Sequence, residues 1–164
     1  MSRCWRRQCY KINSDGAIFE KEDNAGLGVV IWNFEVLVMA SLSQLVHLPY
    51  SVVEVETLAT RRALELAVEI RINRVVLEWD LAVLMQNLRN GNSSLTQFSH
   101  LASDILFPAS HFTDVQFSHV RCECNKAAHS LARRTPFSPP LSVWMEDIPL
   151  DVDPVLMADL LSLW

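Results

Sequence analysis

The chain has 164 residues, half of them apolar and a fifth charged, with a formal net charge of −5 and a mean hydropathy of +0.15. That length and composition fit one domain with a proper core and exclude a disordered chain. No apolar run approaches the ~20 residues of a membrane span, and the basic start MSRCWRRQCY lacks the apolar segment of a secretory signal, so a soluble intracellular protein is expected.

The first element is CYKINSDGAIFE (9–20), where polar and apolar side chains alternate as in a strand and then meet Asp15-Gly16. Asp-Gly is a common hairpin turn, and a carboxylate at a strand end is also a common cation ligand. A polar bridge, EKEDN (20–24), leads to a second strand-like run, AGLGVVIWN (25–33). NFE then turns the chain into VLVMASLSQ (36–44), so these runs read as an antiparallel meander. Val36 stands where such a turn favours glycine, which makes NFEV a poorer connection.

The period then changes. SVVEVETLATRRALELAVEI (51–70) places apolar residues at 55, 59, 63, 66 and 70, one face of a helix. Ser51 and Glu54 have the spacing of a capping box, and Tyr50 with Val55 that of a hydrophobic staple. Glu54 then has a structural task, which leaves Glu56 as the unexplained carboxylate of the first turns. NRVVLEWD (73–80) reads as a short strand ending at Asp80, and LAVLMQNLRNG (81–91) as a helix closed by Gly91. A further helix is expected within 95–110, a strand in DVQFSHV (114–120), and a helix in NKAAHSLARR (125–134). The order β-β-β-α-β-α-α-β-α requires a crossover after the third strand, hence a mixed sheet covered by helices.

Residues 135–145 hold Pro136, Pro139 and Pro140 and read as a linker, which sets a body at 1–134 apart from a tail at 135–164. In the tail, Asp153 as N-cap and Pro154 at the first helical position start a helix, DPVLMADLLSLW. Its apolar residues are expected to dock on the body rather than on a partner. All 14 Lys and Arg lie in residues 1–134, together with all acids except Glu146, Asp147, Asp151, Asp153 and Asp159. A neutral body can carry a basic stripe, so the global charge does not exclude nucleic acid. The four cysteines, Cys4, Cys9, Cys122 and Cys124, form no CxxC pair. Cys122-x-Cys124 with His119 and His129 can be drawn as a zinc site, but the spacing fits no standard finger, and reduced thiols are the simpler reading.

Taken singly, Asp15 is explained as a turn residue, Glu56 as a solvated helix charge and Asp80 as an N-cap. Together they form a pattern. If the strands bearing Asp15 and Asp80 are parallel neighbours, both acids emerge at carboxyl ends, where open α/β sheets place ligands. Glu56, early in the intervening helix, reaches the same edge. Converging carboxylates repel unless a cation neutralises them, and hard oxygens suit Mg²⁺ or Mn²⁺.

KINSDGA (11–17), VEVETLATRRALELA (53–67), NRVVLEWD (73–80) and FSHVRCECNKAAHSLAR (117–133) occur in that order. Over residues 9–134 the chain resembles the type 1 ribonuclease H domain, and more closely the ribonuclease H-like domains of plant proteins related to non-LTR retrotransposons. VWMEDIP (143–149) is similar to the same plant relatives. The resemblance implies an α/β, ribonuclease H-like fold with a five-stranded mixed sheet, three antiparallel strands followed by parallel ones, flanked by helices. It implies two metal ions held by Asp15, Glu56 and Asp80, with His129 where the family has a fourth acid. It further implies cleavage of the RNA strand of an RNA–DNA hybrid, with Asn125 on the nucleic-acid backbone or serving as an N-cap; the sequence does not give the oligomeric state, and a monomer is the default expectation. Arg121, Lys126, Arg133 and Arg134 are the expected phosphate contacts, or an ordinary solvated basic face. His129 brings less charge and a softer nitrogen than a carboxylate, which favours Mn²⁺ over Mg²⁺, and it can shuttle protons or simply fill a helix face. Trp79 and Leu81 flank the third acid where relatives carry small residues and serine. The alternatives are a nucleic-acid-binding domain with little turnover, and a protein-interaction module acting through the tail.

Overall fold

A computed structural model of the chain describes residues 9–49, 51–78, 95–118 and 125–162. In chain order the elements are β1 (Tyr10–Phe19), β2 (Asn24–Trp32), β3 (Val38–His47), α1 (Val52–Glu69), β4 (Arg74–Glu78), α2 (Leu95–Ala109), β5 (Asp114–Ser118), α3 (Lys126–Arg133), a 3₁₀ turn (Thr135–Phe137), β6 (Leu141–Met145) and α4 (Asp153–Ser162). Trp79, Asp80, Leu81, the expected helix at 81–91, His119, Arg121, Cys122 and Cys124 lie outside the described residues. Cys9 is buried and forms no disulfide. Among the described residues, no helix is long and apolar enough to cross a membrane.

The strands form one mixed sheet in the order β5-β4-β1-β2-β3-β6. The pairs β1–β2, β2–β3 and β3–β6 are antiparallel, while β4 lies parallel to β1 and to β5. The sheet therefore has six strands where five were expected. The extra one is β6, inside the stretch read from its prolines as a linker; those prolines precede Leu141 and leave it free to pair with β3. Asp15-Gly16 is not a hairpin turn either. β1 stays paired with β2 from Lys11 to Phe19, and the turn falls after it, where the Asp23 N–H donates to the Glu20 carbonyl.

α1 begins as its sequence dictates, with the Ser51 hydroxyl accepting from the Glu54 N–H at 3.2 Å. Its buried face includes Val55, Ala59, Ala63 and Leu66. The larger core lies under α1 and α2, where Ile12, Val29, Ile31, Leu42, Leu64, Leu77 and Ile105 are buried together. A second cluster on the other side joins Val30 and Trp32 to Ala127, Ala128 and Leu131 of α3 and to Ile148, Val152 and Leu156 of the tail. The tail helix thus docks on its own body. The β2–β3 turn takes Val36 to φ 62°, a left-handed conformation that a β-branched residue adopts only under strain. Asn33 holds the turn, its Oδ1 accepting from the Glu35 and Leu37 N–H groups at 2.9 Å each.

Candidate functional site

Three elements meet at Asp15. β1 carries the residue in mid-strand, half-buried, and α3 lies close against β1 and β2. The close approach of α3 has a clear origin. Its buried face is largely alanine (Ala127, Ala128, Ala132), and the strand beneath offers Gly28, where an added Cβ would strike the Ala128 carbonyl. Small side chains on both sides let the helix backbone descend onto the sheet. The result is that His129, exposed on α3, places its Nδ1 2.6 Å from Asp15 Oδ2.

Glu56 comes from the first turns of α1. Gly16, directly after Asp15, leaves that helix room to approach: a Cβ there would collide with Val55 Cγ1 and lie 3.4 Å from Glu56 Oε1. The Glu56 carboxyl is pushed up to about 7, first by removal from water and then by the neighbouring Asp15 charge, against a hydrogen bond from the Gly16 N–H. Glu56 is exposed as a whole residue, so water screens part of that penalty. Asp15 is also raised, by burial, with the His129 hydrogen bond and charge and the Gly16 N–H opposing. Two carboxyls that each resist ionisation beside one another favour a shared proton or a cation between them.

Asn125 opens α3 but does not cap it. Its Nδ2 donates instead to the Ser14 carbonyl at 2.7 Å, tying the helix start to the residue before Asp15. Its Oδ1 is buried with no hydrogen-bond partner among the described residues. The cap comes from the tail: Asp159, 2 % exposed, accepts from the Lys126 N–H at 3.2 Å and from the Ala127 N–H at 2.7 Å. Burial raises the Asp159 pKa, and those two N–H groups oppose the rise.

The structure therefore brings Asp15, Glu56 and His129 together and sets Asn125 beside them. Asp80 and Arg121 lie outside the described residues. Lys126 and Arg133 share the exposed face of α3 with His129, and the Arg133 guanidinium sits 5.7 Å from the Phe19 ring centre. Arg134 departs from expectation. Its guanidinium is engaged by Asp151 at 3.1 and 3.2 Å and stacks on Trp144 at 5.3 Å, a structural clamp between α3 and the tail. Two residues that matter here, Gly28 and Asp159, were not singled out in the sequence as site residues. Both act through contacts between distant parts of the chain, and neither carries a local signal.

Among the described residues, no cluster of three or more His, Cys, Asp or Glu could hold a metal ion. Asp15 and Glu56 nevertheless fit a hard divalent cation by donor chemistry, as carboxylate oxygens whose mutual repulsion such an ion relieves.

A family model described as reverse transcriptase-like matches residues 13–135. None of the curated proteins matches the sequence. Among solved structures, ribonuclease H1 from the archaeon Halobacterium salinarum is similar at a TM-score of 0.67 and 18% identity, covering 79% of this chain and 98% of its own. The N-terminal ribonuclease H domain of a Mycobacterium tuberculosis protein gives 0.62 and 20% identity over 76% of this chain and 91% of that one. LC11-RNase H1, isolated from compost and solved with an RNA/DNA hybrid, gives 0.62 and 18% identity over 79% and 99%. At these identities the likeness is one of fold, and the fold is ribonuclease H-like.

Proposed function

The chain belongs to the reverse transcriptase-like family, and from that premise we propose that it is a divalent-cation-dependent endonuclease for the RNA strand of RNA–DNA hybrids. The observation that carries this reading is the junction of Asp15, Glu56 and His129 at one place on a ribonuclease H-like sheet. The solved complex of LC11-RNase H1 with an RNA/DNA hybrid supports the substrate class. Asp15 and Glu56 would hold Mg²⁺ or Mn²⁺, with Asp80 as the third ligand carried over from the family resemblance. Such ions, when bound, activate a water and stabilise the leaving 3′ oxygen.

This chain's own residues do the remaining work. Lys126 and Arg133 offer their charges to phosphates on the exposed face of α3. Asn125, anchored to the Ser14 carbonyl, fixes that face relative to β1. His129, with its Nδ1–H donating to the Asp15 carboxylate, orients that group and would accept or return a proton at its other ring nitrogen, Nε2. The hybrid is read by groove shape and 2′-hydroxyls rather than by base sequence.

The test is cleavage of a labelled RNA–DNA hybrid with Mg²⁺ or Mn²⁺ beside an Asp15→Asn control. Cleavage that falls at least about 100-fold in the variant supports the nuclease. A wild-type chain that cuts nothing, or a variant that cuts as well, removes it. One observation favours a second reading: His129 already engages Asp15 Oδ2, a carboxylate oxygen that a cation would compete for. In that reading the chain binds hybrid without turnover, and the same assay shows retention without product.

A further inference from the structure

β6 is the last strand of the sheet, and among the described residues nothing pairs with its outer edge. Its inner edge is fixed by the Glu146 N–H donating to the Met39 carbonyl and the Leu45 N–H donating to the Pro140 carbonyl, each at 2.8 Å. Backbone groups in an antiparallel ladder alternate in direction. Pro140, Ser142, Trp144 and Glu146 therefore turn toward β3, and Leu141, Val143 and Met145 aim their N–H and C=O groups outward. The same residues are exposed, at 50%, 42% and 56%. α1 packs over β1 and β2 and leaves this apolar stripe uncovered. The strand is short, but within it there is no charge, no proline and no bulge in its pairing with β3.

We propose that β6 pairs antiparallel with β6 of a second copy of this chain, about a two-fold axis through Val143. The outward pattern selects the register. With Val143 opposite Val143 and Leu141 opposite the partner's Met145, each outward residue exchanges both backbone hydrogen bonds, whereas any other register leaves some unmatched. Side chains agree with that register: apolar groups face apolar groups, and Ser142 lies across from the partner's Trp144. Charge agrees as well. The strand ends at Met145 and Glu146 turns away at φ 54°, so the acids that follow lie outside the paired residues and none oppose one another within it. The contact is self-complementary, as a two-fold interface must be. A strand this short buries less than the ~800 Å² per partner of a stable complex, so the dimer forms with a Kd of roughly 10–100 μM. This inference is independent of the proposed nuclease activity and departs from the monomer expected from sequence.

Sedimentation of the full chain from about 1 μM to about 1 mM reads the proposal directly, with the mass expected to double across the range. V143K and V143E each place like charges on the axis and stay monomeric, while an equimolar mixture of the two restores a dimer. Hydrogen exchange on the unmutated chain supplies a readout that needs no variant: amide protection at Leu141, Val143 and Met145 rises with concentration. A chain that stays monomeric throughout, a V143K chain that still dimerises, or a mixture of folded variants that fails to associate overturns the proposal. If V143K does not fold, absence of concentration-dependent protection at those amides overturns it instead.

Discussion

At the residue scale, the informative pair is Asp15 and His129, 2.6 Å apart and 114 positions apart in sequence. An imidazole at this place makes a poorer neighbour for Mg²⁺ than for Mn²⁺. The nuclease reading therefore expects faster cleavage in Mn²⁺ at matched concentration, and His129→Asp is expected to raise the Mg²⁺ rate about tenfold. Metal titrations of both chains on one hybrid check this, and a His129→Asp chain with an unchanged Mg²⁺ rate counts against it. Glu56 gives a second prediction. Its carboxyl holds a proton more tightly when folded, about 7 against an ordinary 4.5. The folded state then binds more protons than the unfolded one between those values, so the contribution of Glu56 to metal-free stability is fully present below about 4.5 and is lost as pH rises through about 7. Urea midpoints across that window should fall for the native chain and stay flatter for Glu56→Gln.

At the element scale, α3 is a short helix held from outside itself. Its N-terminal residue Asn125 spends its side chain on the Ser14 carbonyl, and Asp159 of α4 supplies the cap instead. Asp159→Ala leaves the Lys126 and Ala127 N–H groups without that acceptor and should cost about 2 kcal/mol in urea unfolding. A loss of a few tenths would mean that the cap is dispensable. β1 shows how pairing overrides local preference: Asp15-Gly16 has the composition of a turn, yet full pairing with β2 keeps it extended. That same extension puts Asp15 under α3 rather than on a loop.

At the scale of the whole molecule, the features legible in the sequence were those written in local patterns. The meander, the capped α1 with its buried Val55, Ala59, Ala63 and Leu66, the parallel β4 and the α3 segment all follow from period and spacing. The convergence of Asp15 with Glu56 was legible only by combining those elements into a sheet. β6 was not legible, because LSVWM is short, places apolar residues on both faces and follows a proline cluster. The Asp159 cap was hidden for another reason: it joins residues 33 positions apart through tertiary docking alone. The docking carries a prediction of its own. Truncation after Leu150 removes Val152 and Leu156 from the cluster with Val30, Trp32 and Leu131. The shortened chain should bind more of an apolar dye and unfold at lower urea, by an amount comparable to a large-to-small core change of about 2–5 kcal/mol. A shortened chain as stable as the full one would return the tail to the role of a partner-binding segment.

The cap also imposes an order of assembly during synthesis. The ribosome delivers His129 well before Asp159, so a nascent chain holds every residue of the Asp15 site described here while the start of its histidine-bearing helix still lacks an acceptor. The site becomes fixed only once α4 has emerged and closed onto α3.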